Sequence, residues 1–461
     1  MRHFFSEEGA LEHRPIYDLQ RRAVWIGLAL VLQSLNEVKH ELYEPLLQPF
    51  GSLIPFALIL GSFYAIWQAL RPARASSRAT EIPSGPRLWQ RVVLLLTVLL
   101  VLPGILAFGW SIRLSVLDPQ FTNDGTTLDT NAAILLLQGR DPYTDSNMPE
   151  IARRFAIQSN WTTPLRVGQF ANRLDYPSDA ELDAVFKSSL KANFMPEFEA
   201  KVSYPALSFL TLVPFALVKD YNVLIFYLAC YLLLVALAWR ICHPALRPWM
   251  LLLSLANIPM WTSTIGGNLD MVYILLIVLA WLQRERRWQS ALFFGLALAT
   301  KQLAWYFIPF YILMVWRNQS FKEMLVRMLV AAGLALAINL PFILWNPQAW
   351  LAGVLAPLAD PMFPLGVGLI NLSVTHLLPF LPEKVYTGLE LGTMAGALLF
   401  YWFHCRKHPE LALLLAVVPL FFAWRSLPSY FYCVAYPAFI LLVARLQPAT
   451  RPALTAGTPS V

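Results

Sequence analysis

Charge is scarce in this sequence. Only 14% of the 461 residues are Asp, Glu, Lys or Arg, while 57% are hydrophobic. A soluble domain is about a quarter charged and close to half apolar, so the apolar excess is more than a core can absorb. Cysteine is sparse too. The four present, Cys230, Cys242, Cys405 and Cys433, lie in or beside apolar segments without CxxC spacing. That pattern excludes a cysteine metal site and a disulfide framework, and leaves them as small buried hydrophobes. No nucleotide-phosphate cradle is written into the chain: there is no Gly-x-x-x-x-Gly-Lys-Ser/Thr, and no Gly-x-Gly-x-x-Gly follows a strand. A DxD-like nucleotide-sugar site on a soluble domain is also absent. The first residues, MRHFFSEEGALEHRPIYDLQRR, are polar where a cleavable signal would be apolar, so no signal peptide is expected.

What is present is long apolar runs. RVVLLLTVLLVLPGILAFGW (91–110) and MVYILLIVLAWL (271–282) leave no polar face for water, which points to lipid as the solvent. The net charge of +7 comes from cations in short clusters between such runs. Cytoplasmic loops keep their Lys and Arg in that way, so membrane lipids, and not nucleic acid, are the expected partner. The fold class that follows is all-α: a polytopic membrane helical bundle of about twelve transmembrane helices, with a large extracytoplasmic loop after the third span.

The clusters set the topology. Arg71, Arg74, Arg78, Arg87 and Arg91 share one polar linker, expected in the cytoplasm. Residues 1–22 are then a cytoplasmic segment, and 23–112 hold three spans (23–36, 52–70 and 92–112). The mostly polar 113–203 is an extracytoplasmic loop with membrane-surface helices, 204–446 is the remaining bundle, and 447–461 is a disordered cytoplasmic tail. The chain is expected to be a multi-pass protein of the cell membrane. Arg284, Arg286 and Arg287, then Arg317, Lys322 and Arg327, also read as cytoplasmic. An odd number of crossings must precede Arg284, yet four apolar stretches are present: 205–219, 222–241, 249–265 and 268–283. The short 205–219, with Pro205 and Pro214, is expected to be re-entrant; a full crossing here with another stretch folded back is the alternative. The residues between Arg287 and Arg317 are too few for two full spans and too many for one. A hairpin of shortened helices turning near Lys301 keeps both clusters inside and leaves Lys301 close to the outer surface. Crossings at 328–345, 385–404, 410–424 and 430–446 complete the count, with 346–383 as an outer loop.

Polar breaks in the apolar pattern collect on the outer face. The loop opens with FTNDGTTLDTNAAILLLQGRDPYTDSN (121–147), where Asp124 follows soon after a span. Ala132, Ala133, Leu135, Leu136 and Leu137 give one apolar side to a helix lying on the membrane. Gly139 ends it and Pro142 prevents its return. Partial desolvation makes a carboxylate more basic, which suits a general base at a lipid–water boundary; alternatively Asp124 and Asp129 cap this helix. Lys301, in ATKQLAWYF, is a cation without an evident partner, facing either a lipid phosphate or, by snorkelling, water. WTSTIGGNLD (261–270), with Asn268 and Asp270, is a further break or a plain turn. FAWRSLPSYFY carries Arg425 and Tyr430, and the 346–383 loop carries Asn371 and His376, the latter more often incidental than catalytic.

With these residues in hand, the chain resembles the integral-membrane (C-type) glycosyltransferases, and most closely the family-87-like polyprenyl-phosphate mannosyltransferases of bacteria. Three stretches carry the resemblance. Asp124-Gly125 with AAILLLQGRDPY is similar to the family's acidic residue, small-residue helix and Gly-x-x-Pro-Tyr, which brings Arg140 and Tyr143 in as substrate-binding candidates. Residues 266–310 resemble its polar outward turn, basic linker and lysine. WRSLPSYFYCVAYP (424–437) is similar to its late polar-aromatic break. The turn here has Gly267-Asn268 where many relatives place Gly-Gln, and the spans before residue 71 have no match. The resemblance implies an inverting hexosyltransferase that uses a polyprenyl-phosphate sugar, with mannose expected, and a lipid or glycan acceptor. It implies Asp124 as catalytic base and Lys301, with Gln302, at the donor phosphate. No metal and no cofactor are expected. Two rivals share the membrane setting: a flippase or transporter of lipid-linked sugars, and a ligase or polymerase of lipid-linked glycans. Transporters often show two related halves, and no internal repeat is visible here.

Overall fold

Runs of Leu, Ile, Val and Phe without alternation cannot satisfy their backbone in hydrocarbon except by helix formation, and the described residues are mostly helical. The computed structural model describes residues 7–37, 51, 53–71, 87–117 and 123–446. Arg74 and Arg78, Phe121 and Thr122, and the tail 447–461 lie outside the described residues. Among those described, the only sheet is a parallel pair, Leu365–Gly366 with Arg425–Ser426. Among the described residues, five helices are long and apolar enough to cross a membrane: Leu53–Leu70, Leu88–Val116, Leu224–Ile241, Phe321–Trp345 and Ser429–Leu446. The chain is a membrane protein by this measure.

The other apolar stretches are shorter or broken. Residues 205–219 form two short helices, Leu207–Leu210 and Val213–Leu217, each far below the roughly 20 residues a crossing needs. The 249–265 stretch divides into Arg247–Leu255 and Ile258–Ile265, with buried Asn257 between them. The 410–424 stretch is not one helix but a string of short turns, Pro409–Leu411, Ala412–Leu415 and Val418–Phe422, buried among neighbours. The first helix begins earlier than expected and runs Glu7–Asn36.

The hairpin expected around Lys301 is present. Helices Arg287–Leu298 and Ile308–Asn318 are joined by a turn and a 3-10 stretch, Gln302–Phe307, and Lys301 sits at the turn. Both basic clusters therefore share one end of the bundle. Arg287 Nε lies 2.9 Å from Glu323 Oε1, Arg327 donates to the Arg284 carbonyl, and Arg406 Nε donates to the Arg317 carbonyl at 2.6 Å. Arg22, nearly buried, joins this end by donating to the carbonyls of Ala69 and Arg71. Cationic groups are favourable where helix C-terminal carbonyls gather.

The two loops expected on the outer face pack on one another. Lys201 Nζ is 2.6 Å from Asp360 Oδ1, and Leu165 pairs with Met362 in an isolated antiparallel bridge. The loop 113–203 has its own apolar cluster, in which Met148, Ile151, Phe170, Phe186 and Phe198 close on Phe363 of the second loop. One expectation fails here. The helix Asp124–Leu137 does not lie on a membrane with one apolar side: every residue from Gly125 to Leu135 is buried. The protein surrounds it on all sides. Its small and hydroxylated residues, Thr126, Thr127, Thr130, Ala132 and Ala133, serve close packing, which an apolar-face reading overlooks.

Candidate functional site

Asp124 stands at the start of this buried helix. The capping role falls to its neighbour: Asn123 is the N-cap, and its side-chain oxygen accepts from the Thr126 amide at 2.9 Å. Asp124, one position on, is left to other work. Its Oδ1 accepts from the Gly125 amide at 2.8 Å, and its Oδ2 accepts from the Thr163 hydroxyl. The helix ends as expected at Gly139, whose φ of 71° suits a residue without Cβ.

The turn 261–270 docks against the same helix start. Asn123 Nδ2 donates to the Gly266 carbonyl and the Thr126 hydroxyl to the Gly267 carbonyl. Gly267 has φ 70°, and a Cβ there would meet Thr126 Oγ1 at 2.8 Å, so no other residue fits both backbone and space. The turn delivers Asp270 at the head of helix Asp270–Leu282, where Asn268 Oδ1 accepts from the Asp270 amide at 3.2 Å.

Asp270 corrects the expectation of an unpartnered lysine. Lys301 Nζ lies 2.7 Å from Asp270 Oδ1, with side chains 7% and 0% exposed. An uncompensated ammonium at this depth is costly, and the carboxylate supplies the compensation. The ammonium is also 5.3 Å from the centre of the Tyr204 ring. That ring lies against Gly125, within 3.2 Å of where a Cβ would stand. The other Asp270 oxygen, Oδ2, finds no hydrogen-bond partner among the described residues.

Asp129 is wholly buried. Its Oδ1 accepts from Ser208 Oγ at 2.8 Å and its Oδ2 has no partner among the described residues. Burial pushes its carboxyl up to about 7, against the pull of the Ser208 hydrogen bond and of Lys301. Tyr430 lies within electrostatic reach of Arg425, Lys301, Asp270 and Asp124. Arg425 makes no ion pair among the described residues, and Tyr176 is also near it.

So Asp124, Asp129, Asp270, Lys301, Arg425 and Tyr430 are brought together from four parts of the chain. The other candidates are elsewhere or occupied. Arg140 is bound to Glu150 at 3.0 Å, beyond the far end of the Asp124–Leu137 helix. Tyr143 donates to the Tyr204 carbonyl at 2.8 Å and packs on Phe209 and Phe342, so it supports Tyr204 from behind. His376 pairs with Asp175 at 3.4 Å on the surface. Gln302 lies beside Lys301, but its amide donates to the carbonyls of Ser203 and Val354 and ties the turn to two outer segments. Sequence reading missed Thr163, Tyr204 and Ser208. Tyr204 alone left a signal, an aromatic beside Pro205 where the polar loop meets the apolar run. Among the described residues no group of His, Cys, Asp or Glu has the arrangement of a metal site.

A family model described as glycosyltransferase family 87 matches residues 203–451, more than half of the chain. The match takes in Tyr204, Asp270, Lys301, Arg425 and Tyr430, while Asp124 and Asp129 precede it. No curated protein and no solved structure matches the chain.

Proposed function

The chain belongs to glycosyltransferase family 87, and from that premise we propose that it transfers a sugar, mannose, from a polyprenyl-phosphate donor to a lipid or glycan acceptor. The observation that carries this reading is the convergence of Asp124 on the Lys301–Asp270 pair at the end of the bundle opposite the basic clusters. Asp270 and Arg284 bracket one helix, and Arg287 and Lys301 the next. With the basic end at the cytoplasmic surface, the site faces the extracytoplasmic side, and both termini face the cytoplasm. Each of those helices rises about 20 Å where the hydrocarbon is about 30 Å thick. The pair thus stands at the outer end of two short helices. A total of about twelve crossings, several of them short or broken, fits this arrangement.

The chemistry is a single displacement. Asp124 takes the proton of the acceptor hydroxyl while that oxygen bonds the anomeric carbon, and the bond from that carbon to the donor phosphate breaks. The electron pair leaves with polyprenyl phosphate, a stable anion that needs no acid. The anomeric centre inverts. Thr163 and the Gly125 amide hold the Asp124 carboxylate, and each oxygen keeps a lone pair for the proton. Lys301, its charge balanced by Asp270, offers its remaining hydrogens to the phosphate, and Arg425 supplies a cation that no carboxylate among the described residues neutralises. The Asp270 oxygen that finds no partner among the described residues suits a sugar hydroxyl, which is a donor.

A family of glycosyltransferases favours this reading over a flippase, and a glycan ligase differs only in the size of the group moved. Purified protein incubated with a panel of polyprenyl-phosphate sugars and an acceptor extract tests it. Release of polyprenyl phosphate from the mannose donor is the expected result. Release from none of the panel contradicts the donor class.

A further inference from the structure

The basic end holds a cavity of about 660 Å³ that the transfer reaction does not use. Five cations line it, Arg22, Arg284, Arg406, Lys407 and Arg445, against two acids, Asp18 and Glu285. Three of the cations are already spent: Arg284 donates to the Trp281 carbonyl at 3.3 Å and pairs with Glu285 at 3.4 Å. Arg22 is held by Asp18 and the carbonyls of Ala69 and Arg71, and Arg445 by buried Glu410 at 2.8 Å. Two are not spent. Arg406 uses only its Nε, on the Arg317 carbonyl, and the Lys407 ammonium makes no hydrogen bond or ion pair among the described residues. A guanidinium fork and an ammonium on adjacent residues suit a phosphate.

The helix ends around this face also expose Trp288, Trp316 and Phe403. Exposed tryptophan at helix ends marks the headgroup level of a bilayer, and basic pockets between helices at that level take phosphorylated headgroups. We propose that this cavity binds the headgroup phosphates of a multiply anionic phospholipid in the adjoining leaflet. The proposal stands apart from the sugar-transfer reading, since it invokes none of the residues of the outer site.

The test reconstitutes the full chain in nanodiscs of zwitterionic phospholipid, with or without a minor fraction of diphosphatidylglycerol. Native mass spectrometry then counts lipid retained on the released protein. Wild type is expected to keep one diphosphatidylglycerol, and Arg406→Gln with Lys407→Gln to hold it roughly 30-fold more weakly, from two surface cations lost. Lys407→Glu alone, with its melting temperature in purely zwitterionic discs equal to wild type, separates lost binding from lost folding and is expected to weaken retention as well. Inorganic pyrophosphate in the buffer distinguishes the source of the anion. If it displaces the lipid at comparable concentration, the site takes a soluble diphosphate and the lipid assignment is overturned. Equal retention in wild type and Lys407→Glu overturns the site altogether and leaves the cations as neutralisers of helix-end carbonyls.

Discussion

Lys301 Nζ and Asp270 Oδ1 stand 2.7 Å apart across the start of one helix and the turn before another, both side chains almost without exposure. Removing either partner leaves a buried charge alone, at a cost of about 3–5 kcal/mol. Lys301→Met is therefore expected to lower both donor binding and melting temperature. Lys301→Met with Asp270→Asn is expected to recover most of the melting temperature while donor binding stays weak. Thermal unfolding in detergent and donor binding, measured on the same three proteins, check the pair. Recovery of both together would make Lys301 a structural residue only.

Asp129 offers a pH test. Its carboxyl is raised in the folded state from 3.8 to about 7 by burial. The folded protein thus binds the proton more tightly than the unfolded chain. Below about pH 4 both states are protonated and the group is neutral to stability. As pH rises from about 4 to 7 the unfolded chain ionises first, and stability falls. Asp129→Asn cannot ionise and keeps an oxygen for Ser208. It is expected to gain stability relative to wild type as pH rises from 5 to 8, by an amount on the order of a few kcal/mol. Melting temperatures at both pH values check this; a difference independent of pH contradicts the neutral, buried carboxyl.

Sidedness is testable with little background, because all four native cysteines are buried. Ala184, exposed on helix Asp179–Ala192 of the large loop, and Glu285, exposed at the basic end, accept a cysteine without loss of packing. An impermeant maleimide is expected to label Ala184→Cys in intact cells, and Glu285→Cys only after permeabilisation. The reverse pattern would invert the topology.

The apolar runs and basic clusters were sufficient to read the helical class, the hairpin at Lys301 and the shared end of its two flanking clusters, because bilayer energetics act on composition and spacing. The break of 205–219 into short helices was legible from its length and two prolines. The environment of the Asp124 helix was not. Thr126 and Asn131 sit where a surface helix would be wetted, and only the tertiary structure reveals that the turn at Gly266 and Gly267 covers the first and Arg154 the second. The partner of Lys301 was likewise hidden, since Asp270 lies 31 positions away and was singled out only as part of a turn. Thr163 had no signal at all, because a threonine in a polar loop is commonplace until the fold sets it on a carboxylate.

Thr163 makes a graded prediction. Thr163→Val removes the hydroxyl that orients Asp124 Oδ2 and leaves its bulk. Turnover is expected to fall roughly 10-fold, with donor binding and melting temperature unchanged, since one positioning hydrogen bond is lost and the base itself remains. Steady-state rates beside a thermal melt check it, and unchanged turnover would free Asp124 from this support.

The central claim is that Asp124 removes the acceptor proton, and Asp124→Asn tests it most directly. The amide keeps the shape of the side chain and an oxygen for Thr163 but cannot take a proton. Release of polyprenyl phosphate in the presence of acceptor is expected to fall by about 10²-fold or more, with donor affinity and melting temperature near wild type. Asp129→Asn in the same assay is expected to lose far less. Turnover by Asp124→Asn within a few-fold of wild type would contradict the account.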